Sequence, residues 1–163
     1  CNALDKVLID RGWPELEDKL QRLSSALSEA GLEVIADQDG WAGNNDALQT
    51  VPESIWYEEF LSNRIVLKVV DSMEQGIMLT NQYSGGHSAT IVTEDAAQAR
   101  AFMEEVDCAA VYHNASTRFT DGGQLGMGAE IAISTQKLHA RGPISVGQLV
   151  SNKWMIHGNG QIR

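Results

Sequence analysis

The chain has 163 residues, 43% of them apolar, which is enough for a compact unit with a buried core. Its formal net charge of −10 argues against nucleic acid as a partner, because binding to phosphate backbones requires a basic face. It has no long apolar run, no secretory leader pattern and only two widely separated cysteines, so we expect no membrane contact and a reducing, cytoplasmic location.

Strands and a helix alternate in the first third of the chain. Residues 3–9 and 32–36 are short and apolar, and each predicts a buried strand. The helix between them is predicted to open at Pro14 and to end at Gly31, a common C-terminal cap. Its apolar face consists of Leu16, Leu20, Leu23 and Leu27. Residues 37–56 are polar and irregular, which predicts a surface excursion.

The same alternation continues in the middle of the chain. The β-branched run 64–70 predicts a strand, and Asp71 and Ser72 are candidate caps of a helix that continues to Tyr83. A further strand is predicted at residues 90–92. This spacing of elements is typical of βαβ units.

One more helix and strand complete the pattern. Thr93 is the candidate cap of this helix, and residues 109–112 form the next predicted strand. The predicted apolar face of the helix is Ala99, Phe102, Met103 and Val106. Strands and helices in this order predict an α/β fold with a parallel sheet covered by helices. Ligands of such sheets gather at the carboxyl ends of the strands, and the last predicted strand runs directly into residues 113–118.

Charge is distributed unevenly along the sequence. Residues 1–113 carry 7 basic and 20 acidic side chains, whereas residues 114–163 carry 5 basic and 2 acidic ones. A cleft built from the second segment would favour small anions. A solubilising acidic surface with a less charged tail explains the same counts equally well.

Cys1 and Cys108 are the two thiols of the sequence. A thiolate is the best side-chain nucleophile near neutral pH, so Cys1 is a candidate for covalent catalysis. Two other interpretations of Cys1 stay open from the residue alone: an incidental residue at the boundary of the chain, or a nucleophile activated by its own α-amine. Cys108 precedes an apolar strand and is expected to be a small buried side chain.

Glycines are concentrated in residues 121–128. The spacing matches no phosphate-binding loop motif, but the glycines permit exposed backbone N–H groups and close approach of a ligand. A plain surface loop is an equal alternative. The four histidines, His87, His113, His139 and His157, have no metal-ligand spacing, so no metal site is predicted. His139 is a possible anion contact or an ordinary surface histidine.

Two stretches resemble γ-glutamyl phosphate reductases, which are glutamate-5-semialdehyde dehydrogenases of the aldehyde dehydrogenase superfamily. The first is Cys1-Asn2-Ala3-Leu4 before an apolar strand, and the second is residues 114–143, which begin Asn-Ala-Ser-Thr-Arg-Phe-Thr-Asp-Gly-Gly. Residues 58–62 and 87–95 add weaker support. The family differs at Ala89, where an acidic residue is usual, and at Cys108, where Ser is usual. Residues 37–56 follow no family pattern.

The resemblance implies the fold and the extent of the unit. It implies an aldehyde dehydrogenase catalytic domain over residues 1–163, an α/β unit with a parallel sheet and helices on both faces. Residues 144–163 are then a C-terminal segment that returns toward a cofactor domain or an oligomer interface. In this superfamily a separate Rossmann-like domain binds NADP(H), and no segment of this sequence matches it. A homo-oligomer is also implied.

The resemblance further implies a reaction, the NADPH-dependent reduction of γ-glutamyl phosphate to glutamate 5-semialdehyde and phosphate in proline biosynthesis. The Cys1 thiolate would attack the acyl carbon, expel phosphate and form a thioester, which hydride from NADPH then reduces. The implied substrate-binding residues are Asn114, Ser116, Thr117, Arg118, Gly122 and Gly123. Glu59 matches the superfamily glutamate that touches the nicotinamide ribose.

Two alternatives to a monofunctional reductase remain. The same block recurs in bifunctional pyrroline-5-carboxylate synthases, which also carry a kinase domain. A binding module that retains anion affinity without catalysis is the second alternative. A pathway kinase, glutamate 5-kinase, is a possible partner, and residues 1–163 alone are expected to be inactive because no cofactor domain is recognisable in them.

Overall fold

The computed structural model describes residues 1–37, 48–49 and 51–163. These residues form an α/β fold, as the sequence predicts, and no helix within these ranges is long and apolar enough to cross a membrane. The helices are α1 (Leu16–Glu29), α2 (Met73–Tyr83) and α3 (Ala96–Glu105). The strands are β1 (Lys6–Asp10), β2 (Glu33–Asp37), β3 (Leu48–Gln49), β4 (Arg64–Val70), β5 (Ser88–Ile91), β6 (Ala110–His113), β7 (Ala132–Ser134) and β8 (Gly142–Ile144).

The main sheet is parallel and has the strand order β1-β4-β2-β3. Its centre is β4, which has the bounds predicted from its β-branched run. A central parallel strand is buried on both faces and therefore reads as a continuous apolar run. Most of the excursion predicted at residues 37–56 lies outside the described residues, but Glu53–Tyr57 forms a 3₁₀ turn.

Helices cover both faces of this sheet. Leu67 of β4 packs with Leu20 of α1 in one apolar cluster. Val66, whose side chain points to the opposite face, packs with Trp56, and Tyr83 of α2 lies against that second cluster. Alternate side chains of β4 therefore pack against helical elements on the two faces of the sheet, so both faces are covered, as predicted.

A second parallel pair, β5–β6, carries α2 and α3. Ile77 and Phe102 pack there with the buried Cys108. Met103, predicted on the apolar face of α3, is instead about half exposed. The prediction of Thr93 as the cap of α3 is also wrong, because the cap is Asp95, two residues later. Asp95 Oδ1 accepts hydrogen bonds from the backbone amides of residues 97 and 98. Its side chain therefore reaches the N–H groups of the first turn, which have no partner within the helix.

The last third of the chain contains an antiparallel pair, β7–β8, which the sequence pattern did not predict. Asp107, after α3, holds this pair in place. Its carboxylate accepts a hydrogen bond of 2.9 Å from Arg141 and another from Lys137. Residues 150–163 form no helix or strand and are exposed to solvent.

Candidate functional site

The first two residues lie against a turn that is more than a hundred positions away in sequence. Thr117 Oγ1 donates a hydrogen bond of 2.7 Å to the Asn2 carbonyl oxygen. The side-chain nitrogen of Asn2, Nδ2, in turn donates to the carbonyl oxygen of Thr120 at 2.9 Å and, more weakly, to that of Arg118 at 3.4 Å. These bonds join the two stretches that carry the sequence resemblance and place Cys1 beside the turn at residues 116–120.

The turn is fixed at the carboxyl ends of β5 and β6. Thr90 Oγ1 donates to the Ala115 carbonyl oxygen at 2.8 Å, and the hydroxyls of Tyr112 and Thr120 are 2.6 Å apart. Ser116 caps the 3₁₀ turn Thr117–Phe119 by accepting a hydrogen bond from the Arg118 amide at 3.2 Å. The expected position of a ligand site, at the ends of parallel strands, is therefore also where Cys1 lies.

Asn114 begins this turn with a left-handed backbone, at φ 52°. Its side chain is committed to the neighbouring loop: Oδ1 accepts from the Thr93 amide at 3.0 Å, and Nδ2 donates to the Thr93 carbonyl oxygen at 2.9 Å. Of the predicted substrate-binding residues, Asn114 thus has a structural task in this conformation. Its side chain holds the two strand ends together.

Arg118 has an exposed side chain, and no ion pair or side-chain hydrogen bond involves its guanidinium within the described ranges. Two other cations of the C-terminal third, Lys137 and Arg141, are bonded to Asp107. Among the described residues, Arg118 is therefore the unpaired cation at the turn, whereas Lys153 and Arg163 lie in the exposed C-terminal segment. A free guanidinium fork is suited to a carboxylate or a phosphate.

Glu59 lies on the other side of Cys1, with its Oε1 3.6 Å from the Cys1 nitrogen. Its carboxylate is largely exposed to solvent, so its oxygens can accept hydrogen bonds from the hydroxyls of a ribose. A contact between Glu59 and a cofactor ribose stays a prediction. The first two residues of the chain therefore have the turn at residues 116–120 and Glu59 as neighbours.

The glycine-rich loop differs from the prediction. The Gly122 amide donates to Glu130 at 3.0 Å, and the Gly123 amide donates to Asp121 at 2.9 Å. The expectation of exposed amides is therefore wrong at these two glycines, because flanking carboxylates occupy them. Gly122 serves close packing instead: a Cβ there would lie 2.4 Å from the Ala129 carbonyl oxygen.

His87 belongs to the weaker resembling stretch at residues 87–95, and the structure shows that it is a buried histidine. Both ring nitrogens lack a hydrogen-bond partner among the described residues, and the side chain is only 5% exposed. Burial lowers the pKa of His87, and the carboxylates of Glu130 and Glu59 act in the opposite direction. The signal that could have revealed it was a histidine placed directly before an apolar strand, inside a resembling stretch.

The second thiol has the structural role that its position suggested. Cys108 is buried, and its Sγ donates a hydrogen bond to Ser84 Oγ at 3.3 Å. Burial raises the pKa of the Cys108 thiol, which keeps it protonated and unreactive. Across residues 1–37 and 51–163, no group of three or more His, Cys, Asp or Glu side chains could hold a metal ion.

Known protein sequences are similar to this chain in the region that contains the candidate site. The aldehyde dehydrogenase family profile matches residues 48–129. The chain is 48% identical over 165 residues to γ-glutamyl phosphate reductase 1 of Bacillus licheniformis, and 48% identical over 163 residues to a γ-glutamyl phosphate reductase of Listeria monocytogenes. Each alignment covers 100% of this chain and 39% of the relative. The chain thus spans about two fifths of the length of these curated relatives.

Solved structures of γ-glutamyl phosphate reductases are also similar to this chain. The γ-glutamyl phosphate reductase of Thermotoga maritima superimposes with a TM-score of 0.91 at 40% identity, covering 100% of this chain and 39% of that one. A γ-glutamyl phosphate reductase of Saccharomyces cerevisiae gives a TM-score of 0.51 at 29% identity, over 76% of this chain and 32% of that one. The fold described above is therefore also found in crystal structures.

Proposed function

Because the chain belongs to the aldehyde dehydrogenase family, we propose that it carries the nucleophile and the substrate-binding turn of a γ-glutamyl phosphate reductase. The observation that carries this proposal is the pair of hydrogen bonds between Asn2 and Thr117 and between Asn2 and Thr120. They hold the thiol-bearing residue beside a turn that has hydroxyls and a free guanidinium. A nucleophile next to an anion-binding group is what an acyl phosphate substrate requires.

The reaction begins at Cys1. Its thiolate attacks the acyl carbon of γ-glutamyl phosphate, the S–C bond forms, and the bond to the phosphate oxygen breaks as phosphate leaves with the electron pair. The negative charge that develops on the acyl oxygen is stabilised by N–H groups close to the nucleophile. NADPH, when bound beside Cys1, would supply the hydride. The thiohemiacetal left on Cys1 would then collapse, so that the C–S bond breaks, the sulfur keeps the electron pair as the thiolate, and glutamate 5-semialdehyde is released. Covalent capture replaces one difficult step by two easier ones.

The turn at residues 116–120 is proposed to bind the anionic ends of the substrate. Arg118 contributes a charged fork, and the Ser116 hydroxyl lies at the start of the same turn. Thr117 is buried and bonded to Asn2, so in this conformation it positions Cys1 rather than the substrate. Glu59 is the proposed contact to the cofactor ribose, and preference for NADP(H) over NAD(H) is part of the proposal.

The wider context is proposed as well. Residues 1–163 would form the catalytic unit of a cytoplasmic, homo-oligomeric enzyme of proline biosynthesis that takes its substrate from a glutamate 5-kinase. The isolated chain is expected to be inactive, because hydride transfer requires a cofactor that is held within a few ångströms of the thioester. Measurable NADPH-dependent turnover by residues 1–163 alone would contradict this part of the proposal.

A chimaera tests the function directly. Residues 1–163 replace the matching region of the Listeria monocytogenes relative, and NADPH-dependent reduction of γ-glutamyl phosphate is measured. We expect turnover by the chimaera, its abolition by Cys1→Ala, and near-normal rates for Cys108→Ser, because only Cys1 is exposed. A folded chimaera without turnover would overturn the proposal, and a Cys1→Ala variant of near-normal rate would overturn the mechanism.

A further inference from the structure

Tyr112 of β6 and Thr90 of β5 are cross-strand neighbours that hold opposite ends of the turn at residues 116–120. The two residues are paired in register, so their side chains lie on the same face of the β5–β6 pair. Thr90 Oγ1 donates to the carbonyl oxygen of Ala115, at the start of the turn, whereas the Tyr112 hydroxyl lies 2.6 Å from Thr120 Oγ1 at its end. The chemistry proposed above uses neither side chain.

Thr120 connects Tyr112 to the first two residues of the chain. Its side chain is fully buried, and among the described residues no group other than the Tyr112 hydroxyl is bonded to its Oγ1. Its backbone amide donates to the Thr117 carbonyl oxygen at 3.0 Å, and its own carbonyl oxygen accepts the hydrogen bond of 2.9 Å from Asn2 Nδ2. The position of Asn2, and with it that of Cys1, therefore depends on where Thr120 is held.

We infer that Tyr112 is a positioning residue for the nucleophile. Its hydroxyl holds Thr120 at the end of the turn, so that the Thr120 carbonyl oxygen lies where Asn2 Nδ2 donates to it, and the peptide bond fixes Cys1 beside Asn2. The restraint is strong because breaking this bond would leave the Thr120 hydroxyl without a partner away from water. This role rests on the proposed function only in taking Cys1 as the nucleophile.

A relay that carries a proton from Cys1 to the Tyr112 hydroxyl does not fit the same bonds. The path from Tyr112 to Asn2 passes through the backbone carbonyl oxygen of Thr120, which accepts a hydrogen bond and has no proton to give. Such a path restrains atoms in space without transferring charge. The contacts therefore support a positional role and not an acid or base role.

The two ends of the turn predict different effects on substrate capture and on reaction. Arg118, the proposed anion contact, follows the start of the turn, which Thr90 holds and Ser116 caps. Loss of the Tyr112 hydroxyl should therefore leave the capture of an anionic substrate nearly intact. It should instead displace the nucleophile, because the end of the turn carries the bond to Asn2.

Exchange of the Asn2 side-chain amide protons with water tests this role without cofactor or substrate. The 163-residue chain is labelled at asparagine with heavy nitrogen, and the Asn2 signals are assigned by their loss in Asn2→Asp. We expect Tyr112→Phe to accelerate this exchange roughly fivefold in NMR measurements, because the carbonyl oxygen that accepts the bond is no longer held. An unchanged exchange rate in folded Tyr112→Phe would overturn the inference.

Matched variants separate positioning from general damage. Tyr83→Phe removes a tyrosine hydroxyl on α2, bonded to Glu53 at 3.2 Å, and should leave the exchange unchanged. The double variant Tyr112→Phe, Thr120→Val leaves neither hydroxyl unpaired, so it should regain most of the melting temperature that Tyr112→Phe loses. Its Asn2 exchange should stay fast, since the bond that holds the turn is still absent.

The double variant also decides the matter if Tyr112→Phe does not fold. Slow exchange of Asn2 in the double variant would show that Tyr112 contributes only to stability, and this result would overturn the inference. Fast exchange in a double variant of nearly parental melting temperature would support it.

Kinetics in the chimaera give an independent readout. We expect Tyr112→Phe to lower kcat about tenfold and to change KM for γ-glutamyl phosphate less than about twofold, because a misplaced nucleophile slows the reaction of substrate that is still bound. A raised KM at unchanged kcat would assign Tyr112 to substrate binding and overturn the inference.

The two proposals fail in different ways. Unchanged Asn2 exchange together with an active chimaera would reject the role of Tyr112 and keep the reductase function. Faster exchange in Tyr112→Phe together with an inactive parent chimaera would reject the function and keep the restraint that Tyr112 places on Asn2.

Discussion

Arg118 tests the proposed site at the scale of single residues. Its guanidinium is exposed and has no side-chain partner in the part of the chain that is described, so its removal should cost little stability. In the chimaera, Arg118→Ala should raise KM for γ-glutamyl phosphate roughly 10- to 100-fold, because a charge-assisted hydrogen bond contributes about 1.5–3 kcal/mol. Steady-state kinetics with NADPH in excess provide the measurement.

Two controls accompany this prediction. Arg118→Lys keeps the charge but not the planar fork, so it should lie between the parent and the alanine variant. Arg100→Ala removes another exposed arginine, on α3, and should change neither KM nor kcat. A lower melting temperature of Arg118→Ala with unchanged KM would show that the residue has a structural role.

Only some residues of the candidate site could be predicted from the sequence. Cys1 and the turn from Ser116 to Arg118 were predicted because they belong to resembling stretches, and the structure places the two stretches in contact. The task of Asn2 was missed, because a bond between residues 115 positions apart leaves no local pattern. The burial of His87 was not predicted for a related reason: it depends on segments that are distant in sequence.

Regular elements were predicted best where one local signal dominates. The β-branched run at residues 64–70 gave β4 its correct bounds, since a strand buried on both faces needs no strict alternation. The cap of α3 was misplaced from Asp95 to Thr93 because two candidate caps lie two residues apart. The Thr93 hydroxyl does take part, accepting from the Asp95 amide at 3.1 Å. The short β7–β8 pair depends on contacts to Asp107, which the sequence pattern does not contain.

The glycine-rich loop allows a test at the scale of elements. Gly122 has an ordinary φ, but an added Cβ would lie 2.4 Å from the Ala129 carbonyl oxygen and 2.8 Å from Glu130 Cβ. Gly122→Ala should therefore lower the free energy of unfolding by about 1–3 kcal/mol, as overpacking does, measured by urea denaturation. Gly147→Ala is the control, because no atom lies within 4 Å of its added Cβ. Equal stability of the two variants would mean that the loop relaxes freely.

At the scale of the whole molecule, Asp107 ties the C-terminal third to the β5–β6 unit. Hydrogen bonds from Lys137 and Arg141 hold the pKa of Asp107 below its ordinary value. A lowered folded-state pKa stabilises the protein above the ordinary value of about 3.9, and this stabilisation is lost as pH falls through the folded-state pKa. Asp107→Asn should therefore be less stable than the parent at pH 7, with the difference closing below about pH 4.

Urea denaturation at a series of pH values measures this difference. Glu94→Gln removes an exposed carboxylate of the same region and should keep a nearly constant offset from the parent across the series. A constant offset for Asp107→Asn as well would show that the ion pairs do not contribute to folding. The exposed position of Asp107 predicts a modest effect, since solvent screens such pairs.

We expect the C-terminal segment to determine whether copies of the chain associate. Trp154, Met155 and Ile156 are 84%, 76% and 88% exposed, and they follow one another in a segment without helix or strand. Contiguous exposed apolar side chains favour association, whereas the net charge of −10 opposes it by repulsion. We therefore expect the 163-residue chain to self-associate reversibly, and more strongly at high salt, where repulsion is screened.

Sedimentation over a wide range of concentration, at low and high salt, measures this association. Replacing Trp154, Met155 and Ile156 together by Ser should abolish the concentration dependence without lowering the melting temperature, because these side chains are exposed and contribute little to the core. Association that survives the triple replacement would point to another surface, such as an open edge of a sheet. A parent chain that stays monomeric at every salt concentration would show that charge repulsion and hydration outweigh the exposed apolar area of this segment.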